Sequence, residues 1–184
     1  MKTGIENRHF IKKEYLIRAG ENADDLYFIT KGLAREYVLK GKQEITTDII
    51  SEGTVTGAAS SFLGGGPSLY SIQAMEPVLV LAMSRKNLEK LYEAVSKWQK
   101  LGRLITTHFL LEQEKHILDN IRYSAKERFP QFQQQHTDLL QRVPQKYLAS
   151  YLNIEPETFS RLKHLVPQKT RFFCTSKRGG EIFL

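Results

Sequence analysis

Eight basic residues lie between Leu140 and the C-terminus: Arg142, Lys146, Arg161, Lys163, Lys169, Arg171, Lys177 and Arg178. Only Glu155, Glu157 and Glu181 oppose them, so this quarter of the chain carries most of its net charge of +7. Clustered cations are what a polyphosphate partner requires, although a generic basic surface has the same composition. The stretch Val143–Leu165 adds spacing to charge. It reads as two short helices joined by a tight turn. Pro144 suits a first helical position, where its missing N–H costs nothing. Leu148 and Leu152 turn inward, and Ala149 is small where a second helix must cross. Asn153 tolerates the left-handed conformation of a helix end. Pro156 restarts the chain, with Phe159 and Leu162 three apart on one face. With Ile154 these positions have the spacing of a helix-turn-helix, whose second helix enters the DNA major groove. The competing reading is an ordinary helical hairpin.

Other reactive residue types are sparse. The single Cys174 excludes an intrachain disulfide or a cysteine-rich metal site. His108 and His116 have no matching carboxylate or cysteine set and read as interface or surface residues, so no metal site is expected. Asp24 and Asp25 form an acidic pair in a turn, where solvation is the simpler account. There is no nucleophile–base set, metal-ligand spacing or phosphate-binding glycine loop of the nucleotide hydrolases, so an enzyme is not expected. No apolar run reaches the length of a membrane span, and no signal peptide precedes the first polar residues, which points to the cytoplasm and away from a membrane partner.

The elements that would position the two-helix stretch come before it. Arg8–Glu21 mixes Phe10, Ile11, Tyr15, Leu16 and Ile17 with charges, as strand, turn and strand. β-prone runs follow at Leu26–Thr30, Leu33–Leu39, Glu44–Ile50, Tyr70–Ala74 and Val78–Met83, punctuated by Gly32, Gly41, Gly53 and Pro77. Their even spacing predicts a small sandwich, barrel or jelly roll. At Ser84, a plausible N-cap, the period changes to helical, with Leu88, Leu91 and Val95 on one side. Ser96 is positioned to cap a longer helix reaching about Ile121. Its apolar residues, among them Trp98, Leu101, Ile105, Leu111 and Leu118, cover more than one stripe, so it needs two partners. One partner is its own β domain. The other is an identical helix in a dimer, with burial inside one subunit as the alternative. Ser124–Gln135 predicts another helix, bent or split at Pro130, and the glutamine-rich Gln131–His136 fits a loop.

The order is therefore β domain, long helix, helical unit. Several runs carry a family resemblance: A-G-E at Ala19–Glu21, L-Y-F-I-T-K-G-L at Leu26–Leu33, the strand pair through Gln43–Gly53, S-I-Q-A-M-E at Ser71–Glu76 and P-E-T-F-S-R-L at Pro156–Leu162. In these the chain resembles the Crp–Fnr family of bacterial transcription regulators, from about Phe10 to Leu165. The run R-V-P-Q-K-Y-L-A-S-Y-L-N-I looks most like the Bacteroidetes branch.

The resemblance implies an α+β chain in three parts: a cyclic-nucleotide-binding-like jelly-roll sensor (double-stranded β-helix) over 1–95, a dimerisation helix over 96–122 and a winged helix-turn-helix domain over 123–184. Double-stranded DNA, a second copy and RNA polymerase are the partners it implies. The family's usual helical lead before Phe10 is short here, which suggests truncation.

The family's cAMP-binding cassette carries Gly-Glu and then Arg-Ser. Here Gly57 is kept, Ala58 replaces the glutamate, Ala59 follows, and Ser68 and Leu69 stand near the Arg-Ser positions. The phosphate loses its cation and the ribose its acceptor, so cAMP binding is expected to be weak or absent and any effector to be another small molecule. Gly64–Gly66 could offer N–H groups to an anion, but with no cation nearby in sequence it reads as a flexible turn. The lone Cys174 excludes an iron–sulfur sensor, leaving no cofactor expected.

In the recognition helix, the resemblance assigns Glu157 to a cytosine amino group and Arg161 to a guanine edge. Thr158, and more weakly Ser160, would meet phosphate, and Lys146 and Lys163 would fix register. Pro156 replaces an arginine, so one guanine contact is lost and the half-site should differ. The stretch Val166–Leu184 is expected as a β wing, with Arg171–Thr175 and Glu181–Leu184 as strands, or else as a basic tail. The alternative function is a ligand-binding or protein-interaction module that has lost specific DNA binding.

Overall fold

The structure, a computed structural model, describes residues 4–165, so the expected wing lies outside the described residues. Eight strands come first: β1 (Ile5–Phe10), β2 (Tyr15–Ile17), β3 (Asp25–Lys31), β4 (Ala34–Lys40), β5 (Gln43–Ile50), β6 (Val55–Thr56), β7 (Ser71–Ala74) and β8 (Val78–Ser84). A short helix, α1 (Ala59–Gly64), is set between β6 and β7. The strands form two antiparallel four-stranded sheets, ordered β1-β8-β3-β6 and β2-β7-β4-β5, which is jelly-roll pairing. Between the sheets lie Leu16, Ile17, Tyr27, Ile29, Ile50, Ile72, Val78 and Val80; β3 and β8 supply alternate residues, while the irregular β2 buries the neighbours Leu16 and Ile17. The expected strands are present, while β6 and α1 are additions.

Gly32 shows why glycine closes the β3–β4 turn. Its φ is +94°, and a Cβ there would stand 2.3 Å from the Pro77 carbonyl oxygen. Gly32→Ala is therefore expected to cost about 2 kcal/mol or more, measured as a lower urea midpoint at unchanged slope.

Six helices follow α1: α2 (Arg85–Ala94), α3 (Ser96–Arg122), α4 (Ala125–Gln135), α5 (Leu139–Arg142), α6 (Gln145–Tyr151) and α7 (Pro156–Leu165). Ser84 caps α2 through the Asn87 amide, as expected. Ser96 does not cap α3; it is that helix's first residue, and Val95 precedes it in extended backbone. Within α3, Gly102 leaves room for the Tyr92 hydroxyl of α2.

Ser124 and Glu127 form a reciprocal capping box on α4. That cap, together with buried Phe129 and Phe132, keeps α4 continuous through Pro130. Gln131–Gln135 therefore belongs to α4 and is not a loop. Pro144 is the residue before α6, one position earlier than expected. A second core holds Phe129, Phe132, Leu139, Val143, Leu148, Ala149, Leu152, Phe159 and Leu162, joined by Leu33 from the β3–β4 turn.

No residue of α3 is buried. Leu101, Leu111 and Leu118 are exposed, as are Leu104, Leu110, Ile117 and Ile121, whereas Trp98 and Ile105 are half-buried.

Candidate functional site

Two places have the residue types for binding. The first is the segment from Gly57 to Tyr70. Gly57 sits in close quarters: a Cβ there would stand 2.7 Å from the Leu26 side chain and 3.2 Å from the Asp25 carbonyl. Ala58 is fully buried ahead of α1, while Ala59 and Leu69 are exposed. Ser68 is buried and turned back on its own loop: its hydroxyl donates to the Tyr70 carbonyl at 2.7 Å. The Tyr70 hydroxyl donates to the Gly57 carbonyl at 3.0 Å. Of the five cassette residues only Ser68 has a polar side chain, and its hydroxyl is engaged within the loop.

The expectation that no cation approaches Gly64–Gly66 holds only along the sequence. In space Arg85, from the start of α2, donates to the Ser61 carbonyl at 2.7 Å and lies over the Phe62 ring. Twenty-four residues separate Arg85 from Ser61, and no local pattern links them.

Glu36 is the titratable group the sequence did not single out. Strand alternation puts it on the same face of β4 as buried Ala34, and it accepts a hydrogen bond from Thr47 at 2.7 Å. Burial pushes its carboxyl up to about 7; the Thr47 bond opposes this and Asp48 adds to it. Burial, then the Glu36 charge, likewise pushes the Tyr70 phenol up to about 12.

Below about pH 4.5 Glu36 is protonated whether folded or not, and costs nothing. From there to about 7 the folded chain holds a proton that the unfolded chain has released, so stability falls as pH rises. Glu36→Gln is expected to be nearly neutral at pH 4.5 and to stabilise above pH 7 by on the order of 1–3 kcal/mol. Melting temperatures of both proteins across that range check this; a gap that does not widen with pH would refute it.

The second place is the α6–α7 unit. Asn153 has φ +57°, the left-handed turn its residue type suggests. Its neighbour Ile154 donates its amide to the Ala149 carbonyl at 3.0 Å, closing the turn. Leu148, Ala149 and Phe159 are fully buried, and the Phe129 and Phe159 rings meet edge-to-face at 5.5 Å. Glu157 and Arg161, one turn apart, are exposed and form no ion pair among the described residues. Thr158, Ser160 and Lys163 are half-buried, and Lys146 is exposed with its ammonium 4.7 Å from the Tyr147 ring centroid.

A cleft of about 500 Å³ separates this unit from the start of β5, lined by Gln43, Glu44, Lys146, Tyr147, Asn153 and Pro156 among others. His108 is exposed, while His116 stacks near Tyr151 at 5.9 Å in a smaller cleft of about 170 Å³. Among the described residues no three His, Cys, Asp or Glu side chains converge as metal ligands. No described helix is long and apolar enough to cross a membrane.

Residues 7–95 match the cyclic nucleotide-binding domain. No curated protein matches the chain. Solved structures do. FixK2 from Bradyrhizobium japonicum is similar at a TM-score of 0.71 and 22% identity, over 88% of this chain and 83% of its own. A CooA mutant from Carboxydothermus hydrogenoformans is similar at 0.68 and 16%, over 88% of this chain and 75% of its own. CLP from Xanthomonas campestris, described as a c-di-GMP-responsive global regulator, is similar at 0.65 and 16%, over 88% of this chain and 86% of its own. These neighbours are Crp–Fnr-type regulators. At such identities the shared property is the fold, and it extends past the cyclic nucleotide-binding domain through the long helix to the helical unit.

Proposed function

We propose that the chain is a DNA-binding transcriptional regulator of the Crp–Fnr type, acting as a homodimer. The observation that carries this reading is the α6–α7 unit. A left-handed Asn153 turn sets two buried-faced helices across each other and leaves Glu157 and Arg161 outward and unpaired among the described residues. Exposed side chains at i and i+4 on a second helix are the arrangement that reads base edges in a major groove. Lys146, Lys163, Thr158 and Ser160 are the accompanying phosphate contacts. The uncovered apolar faces of α3, including Leu101, Leu111 and Leu118, supply the surface for a second copy, and two-fold pairing matches paired half-sites.

The β domain is the sensor in this reading, and its effector is a small molecule other than cAMP, or cAMP bound only weakly. Ala58 offers no acceptor, and Ser68 and Tyr70 are already engaged within the loop.

Fluorescence anisotropy with palindromic promoter DNA and a scrambled duplex, at several salt concentrations, tests the function. Selective, salt-dependent binding supports it; equal binding to both duplexes leaves the interaction-module reading in its place. A cAMP-dependent rise in melting temperature would overturn the effector reading.

A further inference from the structure

The helical unit is seated on the β-sandwich by contacts of several kinds. Arg142, at the end of α5, donates to both carboxylate oxygens of Glu52, at 2.7 and 3.1 Å, and also to Glu76. Asp138 stands 3.9 Å away on the same guanidinium. Glu52 follows β5 and Glu76 precedes β8, so one side chain ties two turns of the sandwich together. Glu52 is itself fixed by the Gly32 amide at 2.8 Å. Beside this grip Leu33 is fully buried in the helical core, with Ile49 and Met75 packed against it. The buried Arg35 guanidinium is sandwiched between the rings of Tyr37 and Tyr147, at 4.3 and 4.1 Å. The Ser150 hydroxyl accepts from the Thr46 amide of β5 at 2.9 Å. All these contacts use α5, α6 or the core beneath them. None uses Glu157 or Arg161.

We propose that Arg142 is a positioning residue for the DNA reader. Its grip on Glu52 and Glu76 seats the two-helix unit on the β-sandwich with the edge of α7 outward, and affinity for DNA follows the fraction seated. This rests on the DNA-binding reading and adds its regulation. An apolar contact through Leu33 fixes the place of docking but is insensitive to salt. An ion pair with about a third of each side chain exposed is screened by salt and is the adjustable part of the seat. A reader that is seated only part of the time shows a Kd raised by the reciprocal of that fraction. Through these contacts any movement of the β4–β5 sheet reaches α6 directly, as well as through α3.

The test uses the full-length protein with Glu52→Gln and Glu76→Gln combined. These changes make the chain more positive, so charge alone predicts tighter DNA binding. The seat predicts the opposite: Kd for the selected duplex rises at least about threefold. Amide hydrogen exchange at Thr46, whose N–H is held by Ser150, reads seating without DNA and is expected to accelerate by at least about threefold. Arg142→Gln must reproduce both effects, and circular dichroism checks that each variant is folded. Unchanged exchange at Thr46, or faster exchange with unchanged or tighter DNA binding, overturns the proposal. If the wild-type protein fails to distinguish promoter from scrambled DNA, the DNA-binding reading fails, and Thr46 exchange still reports whether Arg142 seats the unit.

Discussion

Phe159→Ala is expected to destabilise the helical unit by about 3–5 kcal/mol. The ring is fully buried and meets Phe129 edge-to-face at 5.5 Å, in a core of ten buried side chains among the described residues. Removing it leaves a cavity that so small a core cannot close by collapse, and a unit of this size holds little stability in reserve. The β core shares no buried residue with it; the helical core meets the β domain through Leu33, with Ile49 and Met75 packed against it. Urea unfolding should therefore split: helical circular dichroism is lost early, while β-sandwich amides exchange at their wild-type rates, except at Thr46, whose N–H is held by Ser150 of the helical unit. Phe28→Ala, at an exposed strand position, should cost less than about 1 kcal/mol and serves as the control. A single transition shifted by less than about 1 kcal/mol for Phe159→Ala would mean that the α6–α7 crossing is not held by this ring.

Arg161→Ala is expected to weaken binding to the selected duplex by about 1–3 kcal/mol, which is roughly 5- to 150-fold. The guanidinium is exposed on α7 with Glu157 one turn away, and a bidentate contact to a guanine edge is lost without disturbing Phe159 beneath it. The loss should fall on one base pair: the variant should tolerate substitution at that position while keeping discrimination elsewhere. Lys146→Ala should behave differently, weakening all duplexes alike and lowering the salt slope by about one. Anisotropy against a panel of single-base variants separates the two. If Arg161→Ala weakens promoter and scrambled DNA by the same factor, Arg161 is a phosphate contact and α7 reads through other residues.

The parts of this molecule that were legible in the sequence are those governed by neighbours in the chain. Gly32, Gly41 and Gly53 end β-prone runs because their turns need positive φ, and each turn is where the run predicts it. Asn153 declares the α6–α7 turn for the same reason. The misses have equally local causes. A two-residue strand such as β6 has no period to detect, and α1 is only six residues long and is set among Ser60, Ser61 and Gly64–Gly66, which signal turns. The glutamines of Gln131–Gln135 form helix readily, and with the capping box and buried Phe132 they outweigh Pro130 and the polar composition that suggested a loop. Ser96 carries a capping side chain, but the chain enters the helix one residue earlier and leaves it unused.

What the sequence could not reveal depends on distance. Arg85 reaches Ser61, Arg142 reaches Glu52 and Glu76, and Tyr147 reaches Arg35 across separations that no periodicity encodes. Glu36 reads as one polar residue in a strand until the fold buries it beside Thr47 and Asp48.

Leu33 makes the two halves of this chain poor candidates for exchange. A recombination event, or an engineer, that joined this helical unit to a different β-sandwich would deliver a core with one of its members missing. The donor sandwich would have to present an apolar side chain at the tip of the same turn, next to a glycine held under the carbonyl of Pro77. Descent should therefore bind the β3–β4 turn to the helices at the far end of the chain more tightly than to the strands on either side of it. A fusion that ignores this pairing should express as two folded pieces that do not move together.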